Sequence, residues 1–179
     1  MNIPVSKGYL LVDSKECQGC QCCMMACSLV HEGEANLSLS RIQVMQNILD
    51  NWPDDIKIVQ CRQCVDPQCV RACPTGALHI DIANGNIRVI DSSECNGCQL
   101  CIDACPFRPQ RIIWNPTAGK AIKCDLCIDA PYWDEKGGPG GKQACVEICP
   151  QKAIKFTRVM PAQTDDAGYD FNLREAGSK

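Results

Sequence analysis

The sequence predicts an α+β fold made of two interleaved units, one contiguous in the chain and one divided between its two ends. Three observations predict it. Sixteen of the seventeen cysteines fall into four spaced groups. The segment entering the first group is repeated at the third. Strand-like runs then flank the groups in an order that a single linear unit does not accommodate.

The four groups are Cys17, Cys20, Cys23 and Cys27; Cys61, Cys64, Cys69 and Cys73; Cys95, Cys98, Cys101 and Cys105; and Cys124, Cys127, Cys145 and Cys149. Groups one and three are strict C-x2-C-x2-C-x3-C runs, the bacterial ferredoxin spacing for a [4Fe–4S] cube. Thiolates are soft donors, which select iron–sulfur, zinc or cuprous copper. Group four, taken alone, also reads as the two spaced pairs of a zinc ribbon. Its Cys149-Pro150 exit, shared with Cys73-Pro74 of group two, favours iron.

The elements follow in chain order. A strand at Tyr9-Leu10-Leu11-Val12 enters group one through Asp13-Ser14-Lys15-Glu16. Leu37 to Val44 alternates like a further strand. Group two leaves through Pro74 into a strand at 77–82. The Asn84-Gly85-Asn86 turn and a strand at 87–90 then lead through Asp91-Ser92-Ser93-Glu94 into group three. Group four exits into Ala153-Ile154-Lys155-Phe156 with no group after it, while group one has a strand before it and no group before that. Pairing these two orphan strands gives two interleaved bacterial-type 2[4Fe–4S] ferredoxin units. The contiguous unit spans 61–109. The split unit joins 8–30 to 121–158, with 31–60 as an insertion and 159–179 as an extended polar tail.

In a two-cluster unit the last cysteine of each run serves the neighbouring cluster. The expected ligand sets are therefore Cys17, Cys20, Cys23 with Cys149; Cys61, Cys64, Cys69 with Cys105; Cys95, Cys98, Cys101 with Cys73; and Cys124, Cys127, Cys145 with Cys27. Gly19 and Gly97 let the backbone approach each cube. Cys22 is left over and reads as a small buried hydrophobe. His31 and His79 read as surface or satisfied core histidines, with contact to a cluster as the alternative, and Met24 and Met25 as packing over the first cluster. Arg62, Arg71, Arg108, Arg111 and Lys123 lie near ligands and are candidates for tuning cluster potentials.

Composition narrows the class. Aromatic residues make up 5% of 179 residues, too few for a deep core, so metal ligation is expected to supply much of the folding free energy. The formal charge of −3 omits the clusters, whose thiolate-ligated cores add further negative charge. No basic run points to nucleic acid. No apolar stretch reaches membrane-span length, and no export signal is evident, so a cytoplasmic protein with reduced thiols is expected. No nucleophile–base pair, nucleotide loop or incomplete cysteine group points to catalysis.

The order of the four groups, with Ala26-Cys27-Ser28-Leu29-Val30-His31-Glu32-Gly33 and Cys69-Val70-Arg71-Ala72-Cys73-Pro74-Thr75-Gly76-Ala77, resembles the four-cluster iron–sulfur subunits of molybdenum- and tungsten-pterin oxidoreductases, typified by the dimethyl-sulfoxide-reductase electron-transfer subunit. The resemblance runs over about residues 8–158. It implies a non-catalytic subunit with four [4Fe–4S] clusters, relaying electrons between a large pterin subunit and another redox protein. The short chain looks like a partner of tungsten enzymes of the aldehyde:ferredoxin oxidoreductase type, such as tungsten benzoyl-CoA reductase. A free soluble polyferredoxin carrier is the alternative, and a zinc-binding interaction module a more distant one.

Overall fold

Four antiparallel two-stranded ribbons and four helices make up the computed structural model, which describes residues 3–51, 54–163 and 166–170. In chain order they are β1 (Tyr9–Val12), α1 (Cys22–Glu32), β2 (Ile42–Gln46), β3 (Ile56–Gln60), α2 (Gln68–Arg71), β4 (Leu78–Asp81), β5 (Ile87–Ile90), α3 (Leu100–Asp103), β6 (Ile112–Asn115), β7 (Lys120–Lys123), α4 (Ala144–Ile148) and β8 (Ile154–Thr157). The protein is a small α+β fold of short elements. Among the described residues no helix is long and apolar enough to cross a membrane.

Strand β1 pairs with β8, Tyr9 opposite Thr157 and Val12 opposite Ile154, so the two ends of the chain meet in one ribbon. All four β1 side chains are buried. Leu10 and Val12 face the main core, and Tyr9 and Leu11 pack on Tyr169 from the far end of the chain. A strand buried on both faces shows no alternation, which is why YLLV reads as a plain apolar run. Hairpin β4–β5 pairs Leu78 with Ile90 and Asp81 with Ile87, with Gly85 and Asn86 at positive φ in its turn.

Two ribbons are not evident in the sequence pattern. Within the 37–44 run, Leu37–Leu39 is a 3-10 turn capped by the Asn36 side chain, and the strand proper begins at Ile42. Its partner is Ile56–Gln60, where Ile58, Val59 and Gln60 are consecutively buried and period-2 alternation is lost. Ribbon β6–β7 turns through Asn115, whose Oδ1 accepts from Ala118 N at 3.0 Å.

The last described residues fold back instead of trailing away as an extended tail; residues 171–179 lie outside the described part. Val12 N donates to Tyr169 O at 2.9 Å, Tyr169 Oη donates to Arg62 O at 2.8 Å, and Val65 N donates to Gln163 Oε1 at 3.1 Å. The segment is polar in composition yet anchored by its aromatic ring and an ion pair, which a reading by composition misses.

The cores are small and cysteine-rich. Cys23, Cys27, Cys124 and Cys145 are part of the main apolar cluster with Ile42, Ile58 and Leu126; Cys101 is part of a second with Leu78 and Ile112. Removing the metal from such a core leaves loosely filled, thiol-lined space. Anaerobic chelation of iron is therefore expected to abolish the cooperative thermal transition followed by circular dichroism; a cooperative melt persisting in iron-free protein contradicts this.

Candidate metal centres

Each cysteine group is set by a loop and a short helix. In groups one and three the loop carries Gly19 or Gly97 and then Gln21 or Gln99, all at positive φ, before α1 or α3 begins. The loop geometry repeats with the sequence. Groups two and four place one cysteine, Cys69 or Cys145, on α2 or α4. Cys73 and Cys149 follow just past the helix, where proline stops it.

Three cavities gather thiols from different groups. Cys17, Cys20, Cys23 and Cys149 line one, with Val44, Ile58 and Ile154. Cys95, Cys98, Cys101 and Cys73 line another, with Leu78, Ile90 and Ala121. Cys124, Cys127, Cys145 and Cys27 line a third, with Leu10, Ile42 and Leu126. Cys61, Cys69 and Cys105 lie close enough to Cys64 to raise its pKa. The four sets adjoin: Cys145 feels the charge of Cys23, Cys124 that of Cys61, and Cys69, Cys73 and Cys101 share one core. Cys20 and Cys98, in the first and third groups, are exposed, whereas all four cysteines of group four are buried.

Several of the thiols are held where ionisation is costly. Burial, then the charges of neighbouring thiols, pushes Cys23, Cys64 and Cys69 up to about 12 and Cys101 to about 11. Burial drives Cys124 and Cys145 up as well. Four thiolates in one apolar pocket need a polycation to coexist, and a thiolate-bound iron core meets that need. Among the described residues no three Cys, His, Asp or Glu side chains converge on a single-ion point.

The last cysteine of three groups accepts a backbone N–H at sulfur: Cys27 from Arg41 at 3.3 Å, Cys73 from Leu78 at 3.3 Å and Cys105 from Arg111 at 3.4 Å. At Cys27 and Cys73 burial works against ionisation, but these hydrogen bonds, with His31 at Cys27 and Thr75 at Cys73, outweigh it and lower the pKa.

Cations cluster around the second set. Arg62, Arg88, Arg111 and Lys123 are all buried. Arg88 and Lys123 feel the charge of its thiols, and Arg111 that of Cys105. Nε and Nη1 of both Arg62 and Arg111, and Nε of Arg88, are buried without a protein acceptor. Orphaned cationic N–H groups around four thiols suit an anionic cluster.

The set completed by Cys27 has a different neighbourhood. His31 Nδ1 donates to Cys27 O at 2.7 Å and Nε2 donates to Asp125 Oδ1 at 3.1 Å. Arg41 Nη1 donates to Asp125 Oδ2 at 2.8 Å. Burial opposes protonation of His31, but the hydrogen bonds to Asp125 and Cys27 raise its pKa to about 9. His31 is thus a satisfied core histidine, one of the two readings its sequence offers, and its partners form a buried polar network. Arg41 and Asp125 fall outside the sequence reading altogether; the place of Asp125 between Cys124 and Cys127 is the one signal that points to it. His79 is exposed, Arg71 is half-exposed and pairs with Asp66, and Arg108 binds the Cys105 and Phe107 carbonyls. Cys22 is partly exposed instead of packing in the core.

Residues 55–159 match the family described as a 4Fe–4S dicluster domain. The protein is 35% identical over 164 residues to the thiosulfate reductase electron transfer subunit PhsB of Salmonella typhi, covering 89% of this sequence and 80% of that one. It is 32% identical over 157 residues to the B subunit of the anaerobic dimethyl sulfoxide reductase of Escherichia coli, covering 81% and 70%. Among solved structures, the active site complex BamBC of benzoyl coenzyme A reductase as isolated gives a TM-score of 0.46 at 21% identity, covering 84% of this sequence and 76% of that one.

The two loop glycines differ in what surrounds them. A Cβ on Gly97 would lie 2.4 Å from Gly119 O in the β6–β7 turn, while one on Gly19 meets nothing nearer than 3.4 Å. Gly19→Ala is expected to cost only the left-handed backbone penalty, about 1–2 kcal/mol. Gly97→Ala adds ~1–3 kcal/mol of overpacking. Thermal melts of the cluster-loaded variants check the order; equal losses contradict it.

Proposed function

The protein belongs to the 4Fe–4S dicluster family, and from that premise we propose that it is the electron-transfer subunit of an oxidoreductase complex, carrying four [4Fe–4S] clusters in a row. The observation that carries this reading is the gathering of sixteen thiols into four adjoining sets, each completed by a cysteine from another group.

In this reading Cys17, Cys20, Cys23 and Cys149 hold one cluster. Cys124, Cys127, Cys145 and Cys27 hold the next, then Cys61, Cys64, Cys69 and Cys105, and lastly Cys95, Cys98, Cys101 and Cys73. The two units are then interleaved ferredoxin-like units, 61–109 and 8–30 with 121–158. Bound clusters supply one-electron redox chemistry. The protein's own residues ligate them and exclude water with Leu10, Ile42, Val44, Ile58 and Leu78. N–H groups of Arg41, Leu78 and Arg111 stabilise sulfur charge. The exposed thiols Cys20 and Cys98 fall in the two end sets, so electrons enter and leave at the ends; of the middle sets, Cys27, Cys124, Cys127 and Cys145 are buried, and Cys61, Cys64 and Cys69 are half-buried beside buried Cys105.

The partner is a large molybdenum- or tungsten-pterin catalytic subunit, the class to which the reductases named for the relatives point, together with a further redox protein. The subunit has no catalytic role of its own. The need for sixteen reduced thiols during cluster loading favours assembly in the cytoplasm.

Anaerobically purified native protein is expected to hold about sixteen irons and as many labile sulfides, four per cube, and to elute with a pterin-containing large subunit. Cys64→Ser is expected to lower the iron content, and Cys22→Ser to leave it full. Elution of the native protein as a small monomer makes it a free polyferredoxin carrier; stoichiometric zinc in place of iron contradicts both readings.

A further inference from the structure

The folded-back C-terminal segment brings one carboxylate to the cations beside the second thiol set. Asp166 Oδ1 accepts from Arg111 Nη2 at 2.6 Å and also from Arg62 Nη2, and Oδ2 pairs with Lys57 Nζ at 2.9 Å. The Arg62 side chain is 1% exposed and that of Arg111 2%. The Arg62 guanidinium lies over the Tyr169 ring, 4.5 Å from its centroid. Asp166 and Tyr169 thus hold Arg62 from one short turn of chain.

Both residues adjoin the second set. Arg62 follows Cys61 directly in sequence, the backbone N–H of Arg111 donates to Cys105 Sγ at 3.4 Å, and the Arg111 guanidinium feels the charge of Cys105. Two like charges sharing one carboxylate oxygen in a buried site repel each other. Asp166 is what holds them together, and it cancels part of their field at the thiols.

We propose that Asp166 is a positioning residue that sets the redox potential of the cluster held by Cys61, Cys64, Cys69 and Cys105, by fixing the Arg62–Arg111 pair beside that cluster and offsetting its charge. The proposal rests on the ligand sets given under the proposed function. Reduction places one more electron on an anionic group in a low-dielectric site, so nearby uncompensated cations favour the reduced form. Asp166 lowers the midpoint below the value the arginines alone would impose. Its carboxylate pairs with the arginines of the second set, whereas the Cys27 network has Asp125 as its own counter-charge. The effect of Asp166 therefore falls on one cluster.

The test is a dithionite titration of the holoprotein followed by electron paramagnetic resonance, on the wild type, Asp166→Asn, Asp166→Glu and Arg111→Gln. Loss of the component in Cys64→Ser identifies the signal of the second cluster. Asp166→Asn is expected to raise that midpoint, changing the reduced-to-oxidised ratio at fixed potential about tenfold, or 59 mV for a one-electron couple. Arg111→Gln is expected to lower it, and Asp166→Glu to keep it near the wild-type value; the other three midpoints stay put. Opposite signs from two variants of one ion pair cannot arise from general loosening. If Asp166→Asn fails to retain the cluster, Asp166→Glu and Arg111→Gln decide. Full iron content with no shift, or with equal shifts in all four clusters, overturns the proposal alone. A wild type lacking four clusters overturns the ligand reading beneath it.

Discussion

Putting four thiolates into one small apolar pocket is the constraint on which the rest of this structure depends. Where water cannot reach them to stabilise their charge, as at Cys23, Cys124 and Cys145, burial drives the thiols toward the protonated state. A bound polycation offsets that penalty, and cysteines make up much of the buried core. The short ribbons and helices have little apolar surface to bury among themselves. They act as walls and hinges around the pockets. Folding and cluster loading are then one process.

The same constraint explains the polar residues inside. A buried cluster leaves net negative charge behind, and the protein answers it differently in two places. Around Cys27 it uses Arg41 and His31 with Asp125 between them, a closed network with its own counter-charge. Around Cys61, Cys64, Cys69 and Cys105 it uses Arg62, Arg88, Arg111 and Lys123, with guanidinium N–H groups left unpaired within the protein. Buried charge is one of the levers that set a cluster's potential, and these residues supply it.

Much of the architecture was legible because cysteine spacing is a rigid code. The strands beside the groups were visible too: YLLV at Tyr9–Val12 and IRVI at Ile87–Ile90 stand as read. Ribbon β6–β7 and strand β3 escaped because their side chains are set by packing against thiol pockets that no periodicity announces. The C-terminal segment escaped for another reason. Asp166 and Tyr169 are ordinary residues in a polar stretch, and their meaning lies in reaching Arg62, some hundred positions away. Charge networks of long sequence separation leave little local pattern; Arg41 was invisible for the same reason, and only the place of Asp125 between two ligands hinted at its role.

The central claim is a linear arrangement of four cubes with crossed ligation. Anomalous diffraction at the iron edge, on anaerobically grown crystals of the complex, tests it most directly. The account predicts four compact iron sites in one row, with Cys149, Cys27, Cys105 and Cys73 each completing the set next to its own group. Four sites each ligated by one group alone, or iron missing from any of the pockets, would contradict it.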